Sequence, residues 1–449
     1  MLSQYETSEL PVSPRAEGDR PSVMWAGEFP AKFCPPWVDA RQLAGPALIA
    51  ALRDSRARTW ALVNDLSPGQ WWPPVQEGVN PIAWELAHLA WFAEFWVLRG
   101  PHDVSADGLT RASQPHRFAG PDAVLDSAQL LHAARWTTPL PHGTGLTAML
   151  ADQLEACIDA VPSANDDAAL YAHRLSLFHE DMHGEALYWL RAALGYPAPS
   201  GLALPQVPPM SDSRQVAVRG GQIQIGATGT GARAQGFAFD NERPGHVVDL
   251  PDFEIDSAPV TAIAFARFVD AGGYDEPQYW PGEAGAWRAQ SGCSHPQQWR
   301  RSPNVNGSAA GRCPTSWQWR WFDQWLPLEP DVPAMHLNAF EAEAFCLWAG
   351  RRLPTAAQWE RAAHQNPARN QAFHWGYSVW EWTADVFMPY PDFVPGPYRE
   401  YSAPWFGDHR ELRGGAFATH ARLHDARYRN FFLPHRTDVF TGFRTVAPC

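Results

Sequence analysis

Two histidines in the segment LSLFHEDMHGEALYWL, His179 and His183, carry the strongest chemical signal in the sequence. On an α-helix each residue turns by about 100°, so residues four apart lie about 40° apart on one face. Both imidazoles can then bind one metal ion. The same letters also fit the zinc-peptidase pattern H-E-x-x-H, with Glu180 as the general base. A third ligand must therefore decide between the two chemistries.

A third histidine, His88, lies in the middle of a predicted helix with an aromatic face, IAWELAHLAWFAEFWVLRG. Trp84, Trp91, Phe92 and Phe95 share that face at helical spacing. A neutral histidine on an apolar face is more often a core residue than a metal ligand. It becomes a candidate ligand only if another helix brings matching ligands to it.

Four helical segments are predicted in the first half of the chain, at 44–66, 82–100, 144–163 and 163–197. The segment between the second and the third is rich in Pro, His, Asp and Gly, which predicts an irregular crossover. Four such helices form an antiparallel bundle, where inward-facing side chains of adjacent helices build metal sites. We therefore expect His88, His179 and His183 to converge.

Composition and charge limit the partners of the chain. Its 449 residues carry a formal net charge of −13, which argues against a nucleic acid or an anionic membrane, since either requires a basic face. A cationic or neutral small molecule fits better. No run of about 18 apolar residues predicts a membrane span, and the N-terminus lacks a signal-peptide pattern. Six cysteines without a C-x-x-C pair are typical of free thiols in a reducing, cytoplasmic setting.

Changes in composition divide the chain into four parts. We predict a mostly disordered tail at 1–40, a helical bundle with the metal-binding histidines at 41–200, a Pro-rich linker at 201–215 and an α+β domain at 216–449. In the last part VAVRGGQIQIGA predicts a short hairpin, whereas TAIAFARFVDAGGY and LNAFEAEAFCLWAGRRLPTAAQWERAA predict three short helices.

Other charged and polar residues are predicted to lie outside the site. Solvent-exposed positions are expected for Glu85, Glu94, His102, His116, His132 and His173. Structural ion pairs are expected for Arg351, Arg352, Arg427, Arg429 and Arg436.

The second half of the chain resembles the formylglycine-generating-enzyme fold, a C-type-lectin-like α+β domain. The residues that carry the resemblance are FDNERPGHVV at 239–248, AGRRLPTAAQWERAA at 349–363, VWEWTAD at 379–385, LRGGAFAT at 412–419 and GFRTV at 442–446. The formylglycine enzymes use a cysteine pair near the C-terminus, and this chain has none there. The resemblance therefore implies the fold and not that chemistry.

A DinB-like four-helix bundle with a His and an H-x-x-x-H, fused ahead of this fold, resembles the iron-dependent sulfoxide synthases of ergothioneine biosynthesis and the related selenoneine synthases. The resemblance implies that His88, His179 and His183 bind Fe(II). It also implies that O2 is used to join sulfur or selenium to the imidazole C2 of hercynine, the N-trimethylated betaine of histidine. Neutral imidazoles suit Fe(II), and aromatic faces suit a quaternary ammonium group.

The segment YRNFF at 428–432 resembles the family's substrate-lining strand. The resemblance implies that Asn430 contacts hercynine and that Phe431 and Phe432 line the pocket. Synthases that use γ-glutamylcysteine carry an aspartate where this chain has Phe432, and phenylalanine cannot make that charge-assisted hydrogen bond. The departure favours a less charged donor, the selenosugar of selenoneine synthases, over a thiol such as γ-glutamylcysteine or cysteine. The family's proton-donating tyrosine matches either Tyr398 or Tyr390.

The sequence leaves two alternative functions open, a zinc metallopeptidase and a non-catalytic binding module. A zinc metallopeptidase would use the H-E-x-x-H letters, although no downstream His or Glu ligand motif accompanies them. A binding module that has lost its metal would bind no iron and show no turnover. Metal analysis separates both from the iron enzyme.

Overall fold

The computed structural model describes residues 40–448 except 77, 142, 164, 201–212, 229–235, 304–315, 366–372 and 377. The predicted tail, apart from residue 40, and most of the predicted linker lie outside the described residues. The described chain forms a helical bundle followed by an α+β domain, which confirms the predicted fold class.

Four long helices build the bundle, close to their predicted positions. A short hairpin and one helical turn form the crossover between the second and the third long helix. The elements are α1 (Gly45–Ala61), α2 (Ile82–Leu98), β1 (His102–Val104), β2 (Thr110–Ala112), α3 (Asp122–Leu125), α4 (Thr144–Asp159) and α5 (Asp167–Leu194).

Capping residues set the length of α5, which carries the histidine pair. The Asp166 side chain accepts a hydrogen bond from the backbone N–H of Ala169 and so satisfies a free donor at the helix start. At the other end Gly195 adopts a left-handed conformation with φ 66°, and the next N–H bonds back to Arg191. The 28-residue helix therefore spans the whole bundle.

The second helix, α2, is buried on all sides. Fifteen of its 17 residues are buried, so it has no solvent-facing stripe. The predicted exposure of Glu85 and Glu94 is therefore wrong. The Glu94 carboxylate accepts three backbone N–H groups from residues 117–119 of the crossover. Within the described chain no helix, α2 included, has the length and apolarity needed to cross a bilayer.

The predicted exposure of four histidines holds for one of them. His116 is exposed, whereas His102 and His132 are half-buried. His173 is buried on α5, and its Nε2 lies 3.1 Å from the Cys157 carbonyl oxygen of α4. The long α5 packs against α1 and α2, and its His173 contacts α4, so few of its faces reach water.

The second domain contains short helices and small sheets. Its helices are α6 (Ala262–Asp270), α7 (Glu283–Ser291), α8 (Ala339–Ala349) and α9 (Ala356–Gln365). Its strands are β3 (Gln215–Val218), β4 (Gly221–Ile225), β5 (His246–Leu250), β6 (Phe253–Asp256), β7 (Trp299–Arg301), β8 (Trp317–Trp321), β9 (Gln324–Pro327), β10 (Trp380–Val386), β11 (Arg410–Arg413), β12 (Asn430–Phe432) and β13 (Thr441–Gly442).

A four-stranded sheet with the order β12-β11-β10-β13 forms the middle of this domain. The hairpin predicted at 216–227 is wrong, because β3 pairs with β6 and β4 pairs with β5. Gly220 separates β3 from β4, and a Cβ there would come within 2.0 Å of the Leu250 carbonyl oxygen. Close backbone contact between Gly220 and Leu250 thus takes the place of the tight turn that the predicted hairpin would need.

Charged residues of the family-like motifs form buried ion pairs. Glu381 accepts hydrogen bonds from Arg444 and from the Trp359 indole. Glu411 accepts from both Arg413 and Arg429, each at 2.7 Å. These carboxylates are at most 3% exposed, so each depends on its cation for charge compensation.

The predicted structural role of the arginines is confirmed in four of five cases. Arg351, Arg427, Arg429 and Arg436 pair with Asp256, Asp425, Glu411 and Asp438. Arg352 instead donates to the Gln358 side-chain oxygen at 2.9 Å.

The second domain binds one face of α5 directly. Asp181 accepts two hydrogen bonds from Arg422, both at 2.8 Å. One turn later, Glu185 accepts from the Trp380 indole at 2.6 Å and from the Thr419 hydroxyl at 2.7 Å. Because each residue advances by about 100°, the histidine pair lies on a different face of the same helix. The residues of α5 that make these contacts therefore lie away from its histidine face.

Candidate metal centre

Three imidazoles converge where α2 meets α5. Ring nitrogens of His88, His179 and His183 all lie within 4.8 Å of one another. The ring centroids are 5.2 Å apart for His88 and His179, 5.1 Å for His88 and His183, and 4.5 Å for His179 and His183. Among the described residues, no other group of His, Cys, Asp and Glu side chains meets as a potential metal site. The arrangement fits a single divalent transition-metal ion.

His88 is oriented by the crossover and by its own helix. Its Nδ1 lies 2.7 Å from the Leu125 carbonyl oxygen, which can only accept, so Nδ1 carries the hydrogen and Nε2 keeps its lone pair. The ring stacks on Trp84 at 4.8 Å and on Trp91 at 5.5 Å. Burial and then the neighbouring His183 lower the pKa of His88 to about 3. The imidazole is therefore neutral near pH 7, as a metal ligand must be.

The two histidines of α5 have different neighbours. The His179 ring lies parallel to Phe92, with centroids 3.5 Å apart. Burial, followed by the other two histidines, holds the pKa of His179 well below its ordinary value. His183 places its Nδ1 2.6 Å from the Glu85 carboxylate. Burial alone would raise the pKa of Glu85, but His183, His88 and Asn80 together outweigh it and the pKa falls to about 2.

A cavity with an aromatic wall and a polar rim adjoins His88. The lining residues are His88, Trp91, Phe92, Phe95, Trp96, Thr110, Asp126, Ser127, Tyr398 and Glu400. The wall comes from α2, whereas the rim comes from the crossover and the second domain. An aromatic surface beside two carboxylates favours a cationic ligand.

The structure brings one of the two candidate tyrosines to the histidines. The Tyr398 ring lies 5.0 Å from Phe92 and 6.3 Å from His179. No described residue forms a hydrogen bond with its hydroxyl. Burial raises the pKa of Tyr398, so the hydroxyl is protonated near neutral pH. Tyr390 instead accepts a hydrogen bond from Arg413 at 3.0 Å inside the second domain.

The strand β12 separates its three candidate residues between two surfaces, because successive side chains alternate. Phe431 stacks on Phe387 at 4.2 Å and lies 5.7 Å from Tyr401, inside the second domain. Phe432 lies under the Arg436 guanidinium at 4.9 Å, and the same guanidinium covers Trp189 of α5 at 4.9 Å. Asn430, two positions from Phe432, shares its face of the strand.

Models of two protein families match the chain, one for each domain. The DinB superfamily matches residues 51–190, and the sulfatase-modifying factor enzyme 1-like domain matches residues 203–378. Hercynine oxygenase of Mycolicibacterium thermoresistibile is 31% identical, covering 88% of this chain and 94% of the relative.

The chain belongs to the hercynine oxygenase family.

Two further relatives define the extent of the similarity. Hercynine oxygenase of Mycolicibacterium smegmatis is 30% identical, covering 90% of this chain and 99% of the relative. The formylglycine-generating enzyme of Streptomyces coelicolor is 27% identical, covering 51% of this chain and 87% of the relative. The two hercynine oxygenases extend over both the bundle and the second domain, whereas the formylglycine-generating enzyme covers about half of the chain.

In this member of the hercynine oxygenase family, the glutamate of the H-E-x-x-H motif forms an ion pair with an arginine. Glu180 accepts hydrogen bonds from Arg56 of α1 at 2.7 and 3.2 Å, and the pair is buried. A peptidase base must instead reach a water on the metal. The geometry therefore argues against the metallopeptidase reading.

Two partners of the histidines escaped the sequence analysis of this family member. Leu125 offers only a backbone oxygen, which no side-chain pattern reveals. The partner role of Glu85, in contrast, was predictable from the sequence. A helix as apolar as α2 has no exposed face, so its two glutamates had to be buried and paired.

Proposed function

We propose that this protein is an Fe(II)- and O2-dependent enzyme that joins selenium or sulfur to the imidazole C2 of hercynine. The observation that carries the proposal is the convergence of three imidazoles beside an aromatic cavity. The relatives named hercynine oxygenase supply the substrate.

The donor set fits iron(II). His88, His179 and His183 offer neutral nitrogen ligands, and three protein ligands leave coordination positions for substrates. Bound iron(II) would supply the redox chemistry that couples O2 reduction to carbon–chalcogen bond formation. The four electrons balance when the C2–H and the donor's Se–H or S–H bonds break, one oxygen atom leaves as water and the other stays on the chalcogen.

We propose that the cavity receives the trimethylammonium end of hercynine, a betaine whose carboxylate balances that positive charge. Trp91, Phe95 and Trp96 offer aromatic faces, each worth roughly 0.5 to 2 kcal/mol to a quaternary ammonium group. Asp126 and Glu400 on the rim add negative charge. The protein's part in the reaction is to orient the imidazole edge towards the three histidines and to exclude water.

We assign proton donation to Tyr398. Its protonated hydroxyl forms no hydrogen bond with the described residues and its ring contacts the ring of His179. A hydroxyl in this position can donate to reduced oxygen without first breaking a bond to the protein. Tyr390 has its hydroxyl engaged by Arg413 and lacks that freedom.

The donor we propose is a selenosugar. Phe432 offers an apolar ring, and the nearby Arg436 is neutralised by Asp438, so this surface favours an uncharged molecule. The alternative is an ergothioneine-type synthase with a thiol donor such as γ-glutamylcysteine or cysteine. One observation favours it: the Arg436 side chain is 22% exposed, and a donor carboxylate could replace Asp438 there.

The test is a single aerobic reaction series. Protein loaded with Fe(II) under nitrogen is mixed with hercynine and one of three donors, a selenosugar, γ-glutamylcysteine or cysteine, and the products are identified by mass spectrometry. We expect a carbon–selenium product that requires O2 and iron and is absent with zinc-loaded protein. A carbon–sulfur product alone would support the alternative donor. No hercynine-derived product with any donor would refute the proposed function.

A further inference from the structure

A chain of hydrogen bonds starts at His183 and leaves the candidate metal centre through residues without an assigned role. His183 Nδ1 lies 2.6 Å from one oxygen of Glu85. The other oxygen accepts from the Asn80 amide at 2.5 Å. The Asn80 amide oxygen in turn accepts from Arg135 Nη1 at 2.7 Å.

From this geometry we infer that Glu85, Asn80 and Arg135 are positioning residues that set the orientation and the donor strength of His183. The inference rests on the proposed function, because it requires that the three histidines bind a metal ion.

The direction of each hydrogen bond determines the tautomer of His183. A carboxylate only accepts, so both neighbours of Glu85 donate to it. His183 must therefore carry its hydrogen on Nδ1 and keep its lone pair on Nε2. Asn80 holds the second oxygen, which prevents the carboxylate from rotating away. The guanidinium of Arg135 fixes the amide orientation of Asn80, because it can only donate.

A second contact joins Arg135 to another ligand. Its guanidinium carbon lies 4.2 Å from the Trp84 ring centroid, and Trp84 stacks on His88 at 4.8 Å. The Arg135 side chain thus contacts Trp84, which stacks on His88, and Asn80, which bonds to the glutamate that pairs with His183. It lies on the crossover, so this irregular segment braces the ligands of two helices.

The three histidines differ in the charge of the groups that contact their imidazole rings. His88 donates to the neutral carbonyl of Leu125, and His179 lies flat on Phe92. Only His183 donates to a carboxylate, and Glu85 is 4% exposed, so water screens the charge little. A buried carboxylate on Nδ1 raises the basicity of the opposite nitrogen. His183 would therefore be the strongest electron donor of the three to a bound iron ion and would favour its higher oxidation state most.

The test measures metal binding and redox potential rather than turnover. Apo-protein is titrated anaerobically with Fe(II) against a chromogenic chelator, and the Fe(III)/Fe(II) midpoint potential is measured for wild type, Glu85→Gln and Asn80→Ala. We expect Glu85→Gln to weaken Fe(II) binding by about 10 to 100-fold, as loss of an outer-shell partner typically does. Its potential should shift to more positive values, and Asn80→Ala should shift both quantities in the same direction by less.

The matched control is Glu94→Gln. Glu94 is a second buried carboxylate on α2, but it binds backbone N–H groups of the crossover instead of a histidine. This variant should lower thermal stability and leave Fe(II) affinity and potential unchanged. Equal losses of affinity in Glu85→Gln and Glu94→Gln would overturn the inference, because general destabilisation would then explain both.

Two further outcomes are decisive. Wild-type affinity and potential in Glu85→Gln would overturn the positioning role while leaving the metal site intact. An Asn80→Ala variant identical to wild type would overturn the extension of the chain beyond Glu85. If the wild-type protein itself binds no Fe(II), the proposed function fails, and that result is distinct from both.

Discussion

Arg422 joins the second domain to the helix that carries His179 and His183, and its removal should be costly. Arg422 and Asp181 are each 2% exposed, and their two hydrogen bonds are both 2.8 Å long. Arg422→Met leaves the carboxylate buried without its cation. Breaking one side of a buried pair costs about 3 to 5 kcal/mol.

The pKa of Asp181 gives a second measure of this interaction. Burial alone would raise the pKa, but Arg422, together with His420 and Ser55, outweighs it and lowers the pKa from the ordinary 3.8 to about 2. That difference corresponds to roughly 2 to 3 kcal/mol. The folded protein binds this proton less readily than the unfolded chain. The stabilisation is therefore complete above about pH 4 and is lost as the pH falls towards 2.

Thermal melting followed by circular dichroism measures the effect. A chain of this length has an unfolding entropy of about 0.9 kcal/mol per kelvin, so Arg422→Met should lower Tm by about 3 to 5 °C at pH 7. The double variant with Asp181→Asn should recover much of the loss, because no buried charge is left unpaired. The control is Arg53→Met. It breaks an ion pair with Glu155 in which both side chains are 52% exposed, and should shift Tm by about 1 °C or less.

The reasoning would be refuted by a change of less than about 1 °C in Arg422→Met. Strict additivity of the two single variants would refute it as well, because paired residues must couple.

Three further predictions concern the candidate site. His183→Ala should abolish Fe(II) binding measured by chelator competition, whereas His173→Ala, which removes a buried histidine from the same helix, should retain it; iron binding in both would exclude the triad. Phe432→Asp should shift the ratio of products from a selenosugar towards those from γ-glutamylcysteine, since a carboxylate adds a charged hydrogen-bond acceptor, and an unchanged ratio would mean that this residue does not contact the donor. Tyr398→Phe should lower the yield of hercynine product per O2 consumed, whereas Tyr390→Phe should lower Tm alone; the reverse pattern would move the proton donor to Tyr390.

The amino-acid sequence determined the features that depend on local repetition. The period of the α-helix places His179 and His183 on one face whatever surrounds them, and capping residues end α5 where the sequence predicts. The apolar run around His88 predicts a buried helix for the same reason. Each of these features depends on residues of a single helix, so it can be predicted from the sequence alone.

Contacts between distant segments decided the rest, because pairing between side chains far apart in the sequence leaves no local pattern. Glu85 meets His183 and Glu180 meets Arg56 only because three helices pack side by side. The choice of Tyr398 over Tyr390 depends on where the second domain contacts α2. A buried charge must find a partner, and the sequence reveals that need while only the packed chain reveals which partner satisfies it.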